Sequence, residues 1–206
     1  MAATGVRDPR VLEAMRQVPR EGFVPAERAA RAYVDEPIPI PHDQVTTQPS
    51  LIARMIEALA LRGGEKLLEI GAGYGFQTAL LARLVAPGGF VWSVERFPDL
   101  AEAARRNLAR EAIANAEVEV GDGTVGAPEH APYDAIVVSA AFPDVPEPLE
   151  GQLAVGGRIV QPIGFGGEEE VILFEREPQR LRRLRTLTGA RFVRLVGEHG
   201  FPADQA

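Results

Sequence analysis

The sequence has no cysteine among its 206 residues. This absence excludes disulfide bonds and thiolate metal ligands, and it fits a reducing compartment. No apolar run reaches the roughly 20 residues that a membrane-spanning helix needs. The first residues also lack the basic-then-apolar order of a signal peptide. We therefore expect a cytoplasmic protein without a membrane partner.

Lysine is scarce as well, and acidic residues outnumber basic ones. The formal net charge is −7, the isoelectric point is near 5.1, and Lys66 is the single lysine. A nucleic-acid surface usually needs a basic patch, so we expect no nucleic-acid partner. His130 and His199 stand alone, without the spacing of metal ligands, and we expect no metal. The length and the apolar content of 46% suit one domain over residues 1–206, and we expect a monomer.

The most informative stretch combines a strand, a glycine turn and a helix. The short apolar run Lys66–Ile70 predicts a buried parallel strand. Gly71, Gly73 and Gly75 follow it directly, and residues 78–85 have apolar side chains at helical spacing. Glycine allows a tight turn and a close approach of the backbone to a ligand. This order is typical of the start of a doubly wound nucleotide-binding fold.

Acidic residues at the strand ends indicate the kind of ligand. The spacing is G-x-G-x-G rather than the dinucleotide pattern G-x-G-x-x-G, and Glu69 lies inside the preceding strand. A carboxylate there suits a cationic ligand such as the methionine part of S-adenosylmethionine. Glu95 ends the next predicted strand, residues 90–94, where an acid can bind both ribose hydroxyls. The alternative is an ordinary βαβ unit with a glycine turn.

The rest of the chain predicts an α/β fold with a doubly wound, mostly parallel, Rossmann-like sheet. Residues 1–62 are predicted to form N-terminal helices and a loop, residues 63–165 the core, and residues 166–206 a β-rich part with an antiparallel edge. The predicted helices are 8–18, 26–32, 50–61, 98–112 and 146–153. The predicted strands are 90–94, 116–120, 133–138, 158–162, 170–175 and 190–196. We expect an extended arm at 33–41, a polar loop at 42–49 and an arginine-rich loop at 180–185.

Several polar residues follow predicted strands and should meet at one edge of the sheet. Asp122 lies between two glycines and could accept from an adenine amino group, although it could equally be a turn aspartate. Thr46 and Thr47 could donate to a substrate carboxylate, and the alternative for Thr47 is a helix cap. His42 could act as a base, but a solvated loop histidine is the simpler interpretation.

Taken together, these residues resemble the protein-L-isoaspartate O-methyltransferases, which are class I S-adenosylmethionine-dependent enzymes. The resemblance covers nearly the whole chain, at residues 18–25, 37–40, 47–49, 68–79, 93–96, 121–123, 131–138, 152–158 and 191–197. It implies methyl transfer to the free carboxyl of isoaspartyl residues in damaged proteins and peptides, with S-adenosyl-L-homocysteine as product. It assigns the cofactor to Glu69, Gly71, Ala72, Gly73, Gly75, Gln77, Thr78, Glu95, Asp122 and Gly123. It assigns the substrate to Gln44, Thr46, Thr47 and Gln48, with Thr47 as the catalytic hydroxyl.

The chain departs from the family pattern in the loop that holds this hydroxyl. Thr47 stands where the family usually has serine, and Pro41 and Asp43 stand where it has glycines. Two other interpretations therefore remain open: a related carboxyl methyltransferase with a different peptide acceptor, and a cofactor-binding homologue with weak activity. The glycine spacing and Glu69 weigh against a nicotinamide oxidoreductase.

Overall fold

The computed structural model describes residues 5–165 and 167–205. The chain begins with α1 (Pro9–Gln17) and continues through 3-10 helices at Arg20–Phe23 and Ala26–Arg31, β1 (Ile38–Ile40), β2 (Gln44–Thr46) and α2 (Pro49–Leu59). The side chain of Asp8 caps α1 by accepting a hydrogen bond from the Arg10 N–H at 2.8 Å. Pro9 fills the first helical position, where no N–H is needed. This confirms the predicted start of α1.

The central sheet follows. Its elements are β3 (Lys66–Ile70), α3 (Phe76–Val85), β4 (Phe90–Glu95), α4 (Pro98–Arg110), β5 (Ala116–Val120), a 3-10 helix at Pro128–His130, β6 (Tyr133–Val138), α5 (Glu147–Gln152), β7 (Leu153–Ile163), β8 (Glu169–Glu177), β9 (Arg180–Ala190) and a last 3-10 helix at Ala203–Gln205. The strand order is β5-β4-β3-β6-β7-β8-β9. The strands from β5 to β7 are parallel, and β8 and β9 are antiparallel. The predicted α/β class with an antiparallel C-terminal edge is confirmed.

Two apolar layers cover the two faces of this sheet. Leu67 of β3 packs in the cluster that contains α1, α2 and α3, whereas its neighbour Leu68 packs in the opposite cluster with Leu149 of α5. Successive side chains of a strand point to opposite faces, so a run of apolar residues serves both layers. The chain winds in one direction from β3 to β5 and in the other from β6 onwards. This reversal opens a crevice between β3 and β6 at their carboxyl ends.

The C-terminal part corrects two predictions. The arginine-rich stretch 180–185, predicted as a loop, is the first half of β9. It pairs with β8, and the ion pairs Arg182–Glu175 at 2.8 Å and Arg183–Glu170 at 3.0 Å join the two strands. Opposite charges on paired strands stabilise the pairing of β8 with β9. The paired arginines and glutamates are not adjacent in the sequence, so the local sequence of 180–185 does not reveal this pairing. Of the predicted strand at 190–196, Ala190 ends β9 and pairs with Glu169, whereas the following residues form isolated bridges, Arg194 with Ala141 and Val196 with Phe201.

The N-terminal arm and loop also differ from the prediction. Residues 38–40 and 44–46 pair as the antiparallel strands β1 and β2, with a tight turn between them. His42 and Asp43 occupy this turn with positive φ angles of 62° and 55°. Within the described residues, none of the helices has the length and apolar character required to cross a membrane.

Candidate active site

A cavity of about 380 Å³ lies at the carboxyl ends of the parallel strands. Four neighbouring strands contribute to it through the residues that end or directly follow them: Gly71 and Gly73 after β3, Glu95 at the end of β4, Gly123 after β5 and Ser139 after β6. The hairpin β1–β2 closes one side with residues 42–47, and residues 193–196 close another. The cavity is therefore at the crevice where open α/β sheets bind ligands.

The glycine turn forms the floor of this cavity. Gly71, Gly73 and Gly75 have φ angles of 93°, 54° and 87°, which place the backbone in the left-handed region. Side chains are strained in that region, whereas glycine is not. A Cβ on Gly75 would also lie 3.2 Å from the Cβ of Ala104 in α4. The turn thus needs glycine for its backbone and for close packing of the helices, and Ala72 lines the cavity between the glycines.

Glu95 presents a carboxylate to the cavity. It accepts hydrogen bonds from the N–H groups of Gly73 at 2.8 Å and Phe97 at 3.0 Å, and its side chain is almost fully buried. Burial raises its pKa, although the backbone hydrogen bonds oppose that effect. Glu95 thus joins the glycine turn to the start of α4 while facing the ligand space.

Glu69 and Thr78 lie behind the cavity wall, and their direct contact with the cofactor stays a prediction. Both side chains are fully buried, and neither residue lines the cavity. Glu69 accepts hydrogen bonds from Thr78 Oγ1, Ser93 Oγ at 2.7 Å and Gln77 Nε2 at 3.0 Å. Burial raises the pKa of Glu69 to about 7. The carboxylate therefore holds the first turn of α3 and the side chain of Gln77 in place.

Gln77 is the side chain that Glu69 orients toward the cavity. Its Nε2 also donates to Ser139 Oγ at 3.1 Å, and the residue lines the cavity. Its Oε1 is buried and has no hydrogen-bond partner within the described residues. A buried acceptor without a partner is costly unless a ligand supplies the donor.

Asp122, the second acid that the sequence predicts at the cofactor, is held by protein donors next to the cavity. Its carboxylate accepts from the N–H of Thr124 at 2.8 Å, the hydroxyl of Thr124 at 2.6 Å and the N–H of Glu198 at 2.7 Å. Asp122 does not line the cavity, but the adjacent Gly123 does. These bonds fit the alternative of a turn aspartate and anchor the C-terminal segment, and contact of Asp122 with an adenine amino group stays a prediction.

The predicted substrate residues lie on the opposite wall. Gln44, Thr46 and Thr47 line the cavity, whereas Gln48 lines a second cavity of about 310 Å³ next to it. The N-cap position of α2 is occupied by Gln48 and not by Thr47. The capping alternative for Thr47 is therefore not supported. Thr47 lines both cavities and so lies at their junction.

A buried arginine that the sequence did not single out supports this wall. Arg20 is 2% exposed, and its guanidinium donates to Ala32 O at 2.6 Å, Thr46 Oγ1 at 3.0 Å and Thr47 O at 3.2 Å. Burial lowers its pKa to about 10. No local pattern marks Arg20, because its acceptors lie 12 to 27 residues further along the chain.

The tip of the hairpin is attached to α4. His42 Nε2 lies 2.8 and 2.9 Å from the two carboxylate oxygens of Asp99. The His42 ring stacks on Phe97, with 4.2 Å between the centroids and 3° between the planes. His42 and Phe97 both line the cavity. The hairpin is thus held over the cavity by a contact that the sequence did not predict.

Comparisons with known proteins agree with this architecture. A model of the protein-L-isoaspartate(D-aspartate) O-methyltransferase family matches residues 1–200. A relative from Aeropyrum pernix named protein-L-isoaspartate O-methyltransferase is 50% identical over 196 residues, which cover 95% of this chain and 75% of that protein. A relative of the same name from Methanothrix thermoacetophila is 47% identical over 192 residues, covering 93% and 90%.

Solved structures lead to the same family. One protein-L-isoaspartate O-methyltransferase has a TM-score of 0.86 and 32% identity, and the match covers 97% of this chain and 64% of that one. A putative Plasmodium falciparum enzyme in complex with S-adenosyl-L-homocysteine has a TM-score of 0.79 at 24% identity, covering 95% and 94%, and supports the fold. The chain belongs to the protein-L-isoaspartate(D-aspartate) O-methyltransferase family, the S-adenosylmethionine-dependent protein carboxyl methyltransferases.

Proposed function

We propose that this protein methylates the free carboxyl of isoaspartyl residues in damaged proteins and peptides at the cavity between β3 and β6. The observation that carries the proposal is the position of Thr47. Its side of the cavity faces the glycine turn and Glu95, so one enclosed space borders both the proposed cofactor residues and the proposed acceptor residues. A transfer between two bound molecules requires such a shared space.

The residues around the cavity fit S-adenosylmethionine. A carboxylate accepts about four hydrogen bonds, and Glu95 therefore keeps acceptor capacity for ribose hydroxyls beyond its bonds to Gly73 and Phe97. The unpartnered Oε1 of Gln77 can accept from the amino group of the methionine part. The glycine backbone at 71–75 leaves room for close approach. When bound, the cofactor supplies an activated methyl group on a sulfonium.

Thr47 is the residue proposed to orient the acceptor. A carboxylic acid with a pKa near 4 is ionised at neutral pH, so it needs no general base. What the protein must supply is position, which means holding one carboxylate oxygen in line with the methyl carbon. The Thr47 hydroxyl can donate to the other oxygen. Arg20 fixes the backbone of this residue through the Thr47 carbonyl.

The test is transfer of a labelled methyl group to an isoaspartyl peptide and to its aspartyl twin. We expect labelling of the isoaspartyl peptide and background labelling of the twin. Thr47→Ala should lower kcat by up to about 100-fold, the cost of a misplaced reacting group, and should leave cofactor affinity unchanged. Thr47→Ser restores a hydroxyl and should recover most of the rate. Equal labelling of the two peptides would reject isoaspartyl specificity, and an unchanged rate in Thr47→Ala would reject the role of the hydroxyl.

The surroundings in which the enzyme acts are part of the same proposal. The net charge of −7 and the absence of cysteine support a cytoplasmic enzyme that acts on proteins rather than on nucleic acid or membranes. We propose that it works as a monomer, which light scattering at the concentration of the assay would test.

A further inference from the structure

The second cavity, of about 310 Å³, opens beside the proposed acceptor site. It shares Val45, Thr47, Ser139 and Val193 with the first cavity. Its outer wall is formed by the start of α2 and by residues 188–193, which include the end of β9 and the three residues after it. An extended peptide advances about 3.3 Å per residue. A residue bound at Thr47 therefore places its nearest neighbours in this second cavity.

The charged lining of this cavity has one sign. Arg54 and Arg191 line it, and none of the described lining residues is acidic. Arg54 donates to the carbonyl of Leu187 at 2.6 Å, which fixes its side chain without neutralising it. No acidic partner is found for Arg54 or Arg191 in the part of the chain that the structure describes. The arginines of β9 differ, because Arg182 and Arg183 form ion pairs with glutamates of β8.

Two carboxylates lie next to this lining without being part of it: buried Glu169 accepts from the N–H of Phe192 at 2.9 Å, and the other belongs to Asp35. Asp35 accepts from Gln48 Nε2 at 3.0 Å and from the N–H of Ser50 at 2.9 Å, at the start of α2. These two hydrogen bonds hold the Asp35 carboxylate at the N-terminus of α2, and Asp35 does not line the cavity. The two arginines are therefore the charges that a peptide in this cavity would meet directly.

The net charge of the whole protein and the charge of this cavity predict opposite preferences for the charge of the peptide. A net charge of −7 attracts basic peptides at long range. At physiological salt the Debye length is about 8 Å, so exposed charges beyond that distance are largely screened. Groups in direct contact with the bound peptide are screened less. The local pair of arginines should therefore decide which flanking residue is favoured.

We infer that the second cavity binds the peptide segment next to the isoaspartyl residue and selects an acidic side chain there, through Arg54 and Arg191. This inference rests on the proposed function. It names the substrate class more narrowly: isoaspartyl sites with aspartate or glutamate within one or two residues.

The experiment measures kcat/KM for isoaspartyl peptides that differ at one flanking position on either side, with Glu, Gln or Lys. We expect the Glu peptide to exceed the Lys peptide by about 3- to 10-fold on the side that enters the cavity, a range set by partly exposed ion pairs. The difference should shrink in 0.5 M salt. Arg191→Glu should reverse the order, and Arg54→Gln should reduce the preference.

Arg185→Glu is the matched control, because it makes the same change of charge on an exposed residue of β9 outside both cavities. It should keep the preference of the unsubstituted protein. Equal kcat/KM for the three peptides, or an unchanged order in Arg191→Glu, would overturn this inference while leaving isoaspartyl methylation intact. Absence of methylation with every peptide would instead overturn the proposed function.

Discussion

At the scale of single residues, Arg20 combines burial and charge in an unusual way. Its side chain is among the largest that are fully buried. The guanidinium loses its hydrogen bonds to water and donates instead to carbonyl and hydroxyl oxygens, not to a carboxylate. It also lies over the Phe76 ring, 5.7 Å from the centroid. A buried cation held by this many acceptors fixes their relative positions. Those acceptors include Thr46 and Thr47, so Arg20 is a positioning residue for the acceptor wall.

We predict that Arg20→Lys lowers kcat for methyl transfer by at least tenfold and leaves the Kd for S-adenosyl-L-homocysteine within about twofold. Lysine keeps the charge but loses the planar fork that reaches Ala32, Thr46 and Thr47 together. Loss of a charged hydrogen bond of this kind also costs about 1–3 kcal/mol of stability. Steady-state kinetics, calorimetry and denaturant unfolding measure the three quantities.

A milder substitution separates the catalytic effect from a folding defect. Thr46→Val removes one acceptor of Arg20 and keeps the shape of the side chain, so it should lower kcat by a smaller factor in the same direction. Thr46→Ser should restore the rate. If both Arg20→Lys and Thr46→Val keep the full kcat, Arg20 has a structural role alone.

At the scale of elements, the β1–β2 hairpin is the part whose position the site depends on. It is a small two-stranded unit apart from the main sheet, and isolated hairpins are marginally stable. The contacts of its tip with Asp99 in the first turn of α4 and with Phe97 just before that helix hold it over the cofactor side of the cavity. The hydrogen bond from His42 lowers the pKa of Asp99, which keeps this partner ionised.

We predict that His42→Ala and Asp99→Asn each weaken binding of S-adenosyl-L-homocysteine by about two- to fivefold, and that the double variant is little worse than either single one. Residues that act through one contact are not additive, which a double-mutant cycle measures by calorimetry. His199→Ala, an exposed histidine beside Glu198, is the control and should bind as the unsubstituted protein does. Fully additive effects would show that His42 and Asp99 act independently of each other.

At the scale of the whole molecule, one buried acid links stability to pH. Glu69 of β3 lies fully buried between the sheet and α3, and burial raises its pKa from 4.5 to about 7. Between these two values the folded protein binds a proton that the unfolded chain has released. Stability from this group is therefore complete below about pH 4.5 and is lost as the pH rises through 7.

We predict that Glu69→Gln, which keeps the shape without the charge, gains stability relative to the unsubstituted protein as the pH increases from 5 to 8. A tenfold change in proton affinity is about 1.4 kcal/mol, so the difference approaches about 3 kcal/mol at the upper end. Urea unfolding of both proteins without cofactor at each pH measures it. Other titrating groups are common to both proteins and cancel. A difference that does not vary with pH would mean that Glu69 keeps an ordinary pKa in the fold.

Much of the fold could be predicted because its signals are local. The strand Lys66–Ile70 and the glycine turn lie within ten residues, and the structure confirms the strand and the left-handed backbone that requires glycine. The apolar run of β6, Ala135–Val138, is equally readable, because residues buried on both faces of a parallel sheet are apolar in succession. The arginine-rich β9 could not be predicted in this way, because its charges are balanced by glutamates of a different strand.

The sequence by itself determined which residues gather at the carboxyl edge of the sheet. The strands that lead to Gly71, Gly73, Glu95 and Gly123 are readable from the pattern of their apolar residues, and parallel strands end at the same edge. Only the tertiary structure decided where their neighbours point. Glu69 and Asp122 turn toward protein donors, and Arg20 and His42 reach residues far away in the chain. The physical reason is that a buried polar group takes the partner that packing brings within about 3 Å, and no local spacing specifies that partner.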